Sequence, residues 1–129
     1  NAGDDMNAYS LTLLLQYDDF SAVLTGDLEA AGERDVIGTL RERKDWDGDC
    51  DVLKVAHHGS KYSSTKAFLQ SLDPKLAVIS CGANNRYGHP HAETLERLEE
   101  QGVQWVRTDE KGAVVIEVED NKITIFKFK

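Results

Sequence analysis

The segment VLKVAHHGS, residues 52–60, joins a short apolar run to two adjacent histidines and a glycine. Residues 52–56 have the length and apolarity of a strand in the buried middle of a sheet. A structural histidine needs only one partner, so His57 and His58 side by side at a strand end favour a metal site or a proton-transfer site. The alternative is that one imidazole faces the core and the other faces solvent. Other residues must converge on the pair to separate these interpretations.

The composition is that of a globular domain. The chain has 129 residues, of which 40% are hydrophobic and 29% charged, enough for one domain with a core. No apolar run approaches the ~20 residues that a membrane span needs, so we expect no membrane contact by this segment. The net charge of −8 argues against a domain that binds nucleic acid by neutralising many phosphates. It does not exclude a metal-dependent phosphodiesterase, because bound divalent cations invert the electrostatics of an acidic pocket.

Hydrophobic periodicity and turn residues predict an alternation of strands and helices. The predicted strands are 9–17, 21–25, 52–56, 76–80, 103–107, 113–118 and 122–128, and the predicted helices are 28–43, 65–71 and 92–101. Hairpins stand at both ends, and no repeat or interdomain linker interrupts the chain. We therefore expect a single α/β domain with a mixed β-sheet over residues 1–129.

Two further features could indicate a bound ion, but the spacing of each argues against it. A disulfide between Cys50 and Cys81 is left open by the sequence. The acidic segment 44–51 superficially matches a calcium loop, but with Asp45 at position one the glycine falls at position four, where position six is required. We expect a solvated loop there. Cys50 and Cys81 match no zinc spacing, and in the absence of a cysteine-rich framework we expect two free thiols.

Candidate ligands follow three separate predicted strands: Asp27, then His57 with His58, then His89. Ligand sites of layered α/β domains gather beyond the carboxyl ends of strands, so these side chains are expected to converge. Carboxylate and imidazole suit Zn²⁺ or Mn²⁺, and two such ions about 3.5–4 Å apart polarise a phosphodiester. Each residue also has a plain alternative, because Asp27 can cap the next helix and His89 can be a turn residue.

Six motifs then occur in order along the chain: Asn7-x-x-Ser10, LTGD at 24–27, LKVAHHGS at 53–60, ISCG at 79–82, NxYGHP at 85–90 and RTDxxG at 107–112. With these motifs the sequence resembles the C-terminal half of the metallo-β-lactamase-like domain of ComEC-type competence proteins, the DNA-uptake channels of bacteria. The resemblance covers essentially the whole chain. The order and spacing of the motifs are specific, although no single motif is.

The resemblance implies half of an αββα sandwich, the N-terminal half of the domain being absent. It implies a metal-dependent hydrolase with Zn or Mn as cofactor, a nuclease acting on the DNA strand that is not imported. By match to the family motifs, Asp27 is the carboxylate that bridges the metals and His57 is the last ligand histidine. His58 and Ser60 would lie at the edge of the site, contacting substrate phosphate or orienting a ligand. His89 would bind substrate or transfer a proton.

The sequence departs from the family pattern in two places. The upstream His- and Asp-rich metal motif is absent, and Asn7 and Ser10 stand where superfamily members often carry a ligand histidine. We therefore expect this chain alone to bind metal poorly and to hydrolyse nothing. Half a sandwich leaves an apolar sheet face uncovered, and such a face marks an interface. We expect the chain to associate with the missing half or with itself.

The resemblance also implies single-stranded DNA as a partner and a soluble domain of a bacterial membrane protein, on the extracytoplasmic side. Two alternatives stay open. One is a structural or binding module whose catalytic site has decayed, which the ligand-poor region at Asn7 favours. The other is a hydrolase of the same superfamily that acts on a small phosphoester or a lactone, which the acidic charge suits at least as well as long DNA.

Overall fold

The computed structural model describes residues 11–46, 48–81, 88–111, 113–120 and 122–128. The strands are β1 (Thr12–Tyr17), β2 (Phe20–Thr25), β3 (Val52–Lys54), β4 (Leu76–Ile79), β5 (Gln104–Arg107), β6 (Ala113–Glu119) and β7 (Lys122–Phe128). The helices are α1 (Ala30–Glu42), α2 (Lys66–Leu72), α3 (Ala92–Glu100) and α4 (Thr108–Lys111), and a 3₁₀ helix spans Ala56–Gly59. None of the described helices combines the length and apolarity that a bilayer crossing requires. Every predicted element is present, although residues 9–10 of the first predicted strand lie outside the described residues. The helix α4 and the 3₁₀ helix are additions.

The first five strands form one sheet in the order β1-β2-β3-β4-β5. β1 pairs antiparallel with β2, whereas the other neighbours run parallel, so the predicted mixed sheet is confirmed. Parallel neighbours need a crossover connection, and α1, α2 and α3 lie in the three crossovers. β6 and β7 form a separate antiparallel hairpin. Parallel pairing over four strands places the carboxyl ends of β2 to β5 at the same edge of the sheet.

The two faces of the sheet are covered by different layers. Successive strand residues point to opposite faces. In β3, Val52 packs toward the hairpin and Leu53 toward the helices. The core on the helical side consists of Val23, Leu40, Cys50, Leu53, Val55, Phe68, Leu69, Leu72, Ala77, Ile79, Leu98 and Val103. The core on the other side consists of Phe20, Ala22, Val52 and Leu76, with Ile116, Val118 and Ile123 of the hairpin packed against it.

A buried carboxylate links the amino ends of three neighbouring strands. Asp51, which precedes β3, accepts a hydrogen bond from the backbone N–H of Ser21 in β2 at 2.9 Å. Its second oxygen accepts from Nζ of Lys75, which precedes β4, at 2.8 Å. The backbone N–H of Leu76 also donates to the Asp51 carbonyl at 3.0 Å. Because one residue holds both neighbours of β3, it helps to fix the register of the parallel strands.

The strand predicted at 52–56 ends earlier than its apolar run. β3 stops at Lys54, although the N–H of Val55 still donates to the carbonyl of Val78 at 2.9 Å. The chain then turns into the 3₁₀ helix, which ends at Gly59 with φ of +86°. Glycine adopts this backbone conformation without strain. The early end of β3 brings the histidine pair into a turn directly beyond the sheet.

Both cysteines are free thiols, as predicted. Burial raises the pKa of Cys50 to about 12. Burial, followed by the negative charge of Asp109, raises the pKa of Cys81. A thiol binds metal and attacks electrophiles as the thiolate, so neither cysteine is prepared for that chemistry.

One face of β1 exposes a row of large apolar side chains. Leu13, Leu15 and Tyr17 are each at least half exposed, whereas Leu14 packs against the helical core. An open groove of about 420 Å³ lies between this row and the hairpin, with Ile116 among its lining residues. Contiguous exposed apolar groups mark surfaces that bind other molecules. Within the described residues, the apolar sheet face expected to be uncovered is thus limited to β1, and association with another surface stays a prediction.

Candidate functional site

The carboxyl ends of β2, β3 and β4 lie side by side. Leu24 pairs with Lys54, and Lys54 pairs with Val78, so the segments that follow these strands leave the sheet at one edge. These segments lead to Asp27, to the 3₁₀ helix and to His89. The structure thus brings together the three strand ends on which the sequence places candidate ligands.

Asp27 lies two residues beyond β2, and its side chain is exposed. The N-cap of α1 is Glu29, whose side chain makes no capping hydrogen bond. The interpretation of Asp27 as the cap of this helix is therefore wrong. The role of this exposed carboxylate as a metal ligand stays a prediction.

Lys54 lies beside Asp27 and joins the ends of β2 and β3. Its Nζ donates to the carbonyl of Thr25 at 2.9 Å, and the Thr25 hydroxyl donates back to the carbonyl of Lys54 at 2.5 Å. Burial lowers the pKa of the Lys54 ammonium, and the negative charge of Asp27 acts in the opposite direction. Sequence reasoning missed this residue, although a lysine inside an apolar strand was a usable signal.

His57 and His58 belong to the 3₁₀ helix, of which the structure describes the backbone. Their side chains lie outside the described part of the chain. The predicted roles of His57 as a metal ligand and of His58 as a neighbour of substrate therefore stay predictions. Their backbone lies directly beyond β3, and the 3₁₀ helix contacts β2 and β4.

The segment around His89 packs directly on this turn. Pro90 lies so close to Gly59 that a Cβ at Gly59 would come 2.5 Å from the proline Cβ. The N–H of His91 donates to the carbonyl of Gly59 at 2.9 Å, and Nδ1 of His91 accepts from the N–H of Lys61 at 2.8 Å. His89 is half-buried, and its ring meets the edge of the His91 ring at a centroid distance of 4.7 Å. The segment of His89 is therefore held against Gly59, and the predicted role of His89 in binding substrate or transferring a proton stays a prediction.

His91 is a structural residue of the site that sequence reasoning missed. Because Nδ1 accepts from Lys61, the proton of a neutral ring lies on Nε2. The imidazole thus fixes the start of the loop that follows Gly59. The available signal was the repeat of histidine on either side of Pro90.

Ser60 lies below the surface of this turn, with only 2% of the residue exposed. Its hydroxyl oxygen accepts from the N–H of Tyr62 at 3.2 Å. Its carbonyl accepts from the hydroxyl of Thr94 in α3 at 3.0 Å. These contacts assign Ser60 a role in shaping the turn, and its predicted contact with substrate phosphate stays a prediction.

A buried glutamate and an arginine hold the loop that follows Ser60. The Glu33 carboxylate in α1 accepts from the N–H groups of Ser64 and Thr65 and from the Thr65 hydroxyl. Arg97 in α3 donates to the carbonyls of Ser63 at 2.8 Å and of Ser64 at 3.0 Å. Burial raises the pKa of Glu33, against the hydrogen bonds from Thr65 and Ser64 and the charge of Arg97. The sequence did not indicate that Glu33 is buried, because a charged residue in a helix is usually exposed.

The motifs ISCG and RTDxxG, far apart in the sequence, meet at the ends of β4 and β5. The N–H of Cys81 donates to the hydroxyl of Thr108, which donates to the carbonyl of Cys81, both at 3.0 Å. Arg107 and Asp109 form a two-point ion pair, and the Arg107 guanidinium lowers the pKa of Asp109. These contacts fix the point where the chain leaves β4. The glycines of both motifs and residues 83–87 lie outside the described part of the chain.

Within the described ranges, no three His, Cys, Asp or Glu side chains are placed to hold a metal ion together. Asp27 is an oxygen donor of the type that Zn²⁺ and Mn²⁺ accept, and His57 would be a nitrogen donor on the neighbouring strand end. Two donors are fewer than a stable site needs. The expected shortage of ligands, and Asp27 and His57 as the ligands, both remain predictions.

Comparison with known proteins gives several relatives, whereas no family model matches the chain. ComE operon protein 3 of Bacillus subtilis (strain 168) is 44% identical over 108 residues, or 84% of this chain and 13% of that protein. Competence protein ComA of Neisseria gonorrhoeae is 31% identical over 131 residues, or 96% of this chain and 18% of that protein. Recombination protein 2 of Haemophilus influenzae is 39% identical over 92 residues, or 71% of this chain and 11% of that protein.

This chain therefore spans less than a fifth of the length of each of these three relatives. The aligned part contains most of this chain in every case. The chain is thus similar over most of its length to one segment of three long bacterial proteins, one of which is named for competence.

Proposed function

We propose that this chain is part of a metal-dependent hydrolase domain that cleaves phosphodiester bonds in DNA during competence-related DNA uptake. The observation that supports it best is the meeting of three strand ends, those leading to Asp27, to the histidine pair and to His89, at one edge of the sheet. Similarity to competence protein ComA and to ComE operon protein 3 supports the biological setting. The finer fold assignment, half of a metallo-β-lactamase-like αββα sandwich, belongs to the same proposal.

The residues of this chain would divide the work as follows. Asp27 and His57 would hold a divalent cation, Zn or Mn, which when bound polarises the phosphodiester and lowers the pKa of water. Lys54 holds the Thr25 carbonyl and so orients the turn that carries Asp27. His89, held against His91, would bind substrate or move a proton, and His58 would lie on the substrate side. The preorganised turn limits the reorganisation that binding requires.

The test is a DNA cleavage assay on the full natural polypeptide that contains these residues, with Mn²⁺ supplied. Asp27→Ala and His57→Ala are each expected to remove cleavage and to lower the bound metal. The matched control is Asp35→Ala, since Asp35 is another exposed carboxylate that follows β2 but lies on α1. Cleavage that survives Asp27→Ala with unchanged metal content would refute the proposal.

This chain alone is proposed to be inactive, because Asp27 and His57 are too few donors and one face of β1 is uncovered. In the longer protein, the missing half of the domain would supply the other ligands and cover that face. The domain would be a soluble part of a bacterial membrane protein on its extracytoplasmic side, with single-stranded DNA as partner. Robust, Asp27-dependent cleavage by the isolated chain would contradict this part of the proposal.

A catalytically decayed binding module is the second candidate, and the ligand-poor sequence at Asn7 and Ser10 favours it. The same polypeptide discriminates the two. An active domain contains bound metal and loses activity in Asp27→Ala, whereas a decayed module lacks both properties. The third alternative is a hydrolase of the same superfamily with a small substrate. It is tested by offering the polypeptide a small phosphoester or a lactone in place of DNA.

A further inference from the structure

Residues 60–65 form a loop that enters the candidate site directly after Gly59, and two neighbouring helices fix it. The hydroxyl of Thr94 in α3 lies within hydrogen-bond distance of two carbonyls, that of Gly59 at 2.9 Å and that of Ser60 at 3.0 Å. Its single hydrogen can donate to either one. Arg97 in the same helix donates to the carbonyl of Lys61 at 3.0 Å. The Ser63 hydroxyl donates to the carbonyl of Leu28 at 2.5 Å.

The hydrogen bonds from Thr94, Arg97 and Ser63 hold the first half of the loop. The contacts of Glu33 and Arg97 described above hold its second half, at Ser63, Ser64 and Thr65. The serine side chains of the loop point inward, since Ser60, Ser63 and Ser64 are all buried. A backbone held by so many hydrogen bonds has little conformational freedom left to lose when a ligand binds.

The tip of the loop is the opposite in character. Tyr62 is 61% exposed, and Lys61 is also exposed. The ammonium of Lys61 lies 5.4 Å from the centroid of the Tyr62 ring. It also lies 3.9 Å from a carboxylate oxygen of Glu93, a weak pairing between exposed groups. A large aromatic ring exposed on a rigid loop beside a cation is an arrangement that nucleic-acid-binding proteins use for stacking bases.

We propose that Tyr62 is a stacking surface for one base of single-stranded DNA and that Lys61 contacts an adjacent phosphate. The inference rests on the proposed function for its choice of substrate class and adds the residues that bind it. The net charge of −8 argues against binding that rests on neutralising many phosphates, so stacking would carry much of the affinity at this point. Duplex DNA keeps its bases stacked on each other and would not use Tyr62 in this way.

Binding is tested with the full natural polypeptide in EDTA, so that metal-dependent cleavage cannot occur. The probe is a fluorescent single strand of about 12 nucleotides, long enough to cover one binding groove. Tyr62→Ala is expected to raise Kd about 10-fold, and Tyr62→Phe, which keeps the ring, about 2-fold or less. Lys61→Ala is expected to reduce the salt dependence by about one phosphate contact.

Lys44→Ala is the matched control for Lys61→Ala, because Lys44 is another exposed lysine but follows the end of α1. It is expected to leave Kd unchanged. A second, local readout uses the same strand carrying 5-iododeoxyuridine, which cross-links under ultraviolet light to an aromatic ring stacked on it. The cross-linked peptide is expected to contain Tyr62, and mass spectrometry identifies it.

The outcomes separate the two proposals. A cross-link at Tyr62 with a weakened Kd in Tyr62→Ala supports the stacking surface even where no DNA is cleaved, and in that case only the proposed hydrolase fails. Failure of the strand to bind, a cross-link elsewhere, or equal Kd values for Tyr62→Ala and the natural polypeptide would overturn the stacking surface. Cleavage that depends on Asp27 would stand regardless of these results.

Discussion

Gly59 and Pro90 are in direct contact, so that a methyl group on Gly59 would lie 2.5 Å from the Cβ and 2.8 Å from the Cα of Pro90. The contact joins the turn of the histidine pair to the segment of His89. The hydrogen bond from the N–H of His91 to the carbonyl of Gly59 reinforces it. Two parts of the candidate site are therefore held against each other through backbone and ring atoms, with no space for a side chain between them.

Replacement of this glycine is expected to be strongly destabilising. Gly59→Ala places a Cβ against Pro90 and forces alanine to a φ of +86°, which together cost about 2–4 kcal/mol. The measurement is the free energy of unfolding in urea. Gly38→Ala is the control, because a Cβ there has open space in the middle of α1 and is expected to stabilise by up to about 1 kcal/mol. Similar effects at the two glycines would contradict the close contact.

The two partners in the Asp51–Lys75 ion pair should differ greatly in their effect on stability. Asp51→Ala leaves the N–H of Ser21 without its acceptor at a buried position, which is expected to cost about 1–3 kcal/mol. The Lys75 side chain is 70% exposed, so Lys75→Ala is expected to cost less than about 1 kcal/mol. Denaturant unfolding of both variants decides the matter, and equal losses would show that the ion pair, rather than the bond to Ser21, is what stabilises the strands.

Glu33 should make stability depend on pH in the direction opposite to an ordinary surface carboxylate. Burial raises its pKa above 4.5 in the folded state, so between 4.5 and the raised pKa the folded chain binds a proton that the unfolded chain does not. Stability from this group therefore rises as pH falls through that window and is constant below it. Glu33→Gln cannot titrate, and its amide places a donor opposite the N–H of Ser64 or Thr65.

Urea unfolding at several pH values measures the relevant quantity. It is the unfolding free energy of the natural chain minus that of Glu33→Gln. At neutral pH, the variant is expected to be less stable by about 1–3 kcal/mol. The difference should grow as pH falls toward 4.5. A difference that shrinks would mean that Arg97 and the hydrogen bonds outweigh burial and lower the pKa.

The exposed row on β1 is expected to make the isolated chain associate. Replacing Leu13 and Leu15 together by lysine puts charge on this face and should give a monomer in sedimentation at concentrations where the natural chain forms larger species. Gln16→Lys, on the same strand and already polar, is the control and should leave the association intact. A natural chain that stays monomeric at all concentrations would show that the row needs no cover.

Local patterns were enough to predict the order of elements and the edge of the sheet where the candidate site lies. Apolar runs such as 76–80 have strand length, and strands separated by helices pair in parallel, which brings their carboxyl ends together. The contacts of Glu33 could not be predicted in this way, because its partners Ser64 and Thr65 are about 30 residues away and meet it only after the helices pack. The early end of β3 has the same kind of cause, since Pro90 and His91 hold Gly59 from outside its own segment.

The parallel pairing of β2, β3, β4 and β5 has a consequence for folding kinetics. Parallel neighbours cannot form a hairpin, so each pairing closes a loop that includes a whole helix. The entropic cost of closing these loops slows formation of the sheet. The edge that leads to Asp27, to the histidine pair and to His89 exists only once β2, β3 and β4 have paired. Appearance of metal or DNA binding during refolding would therefore be one of the last events, later than the helical signal.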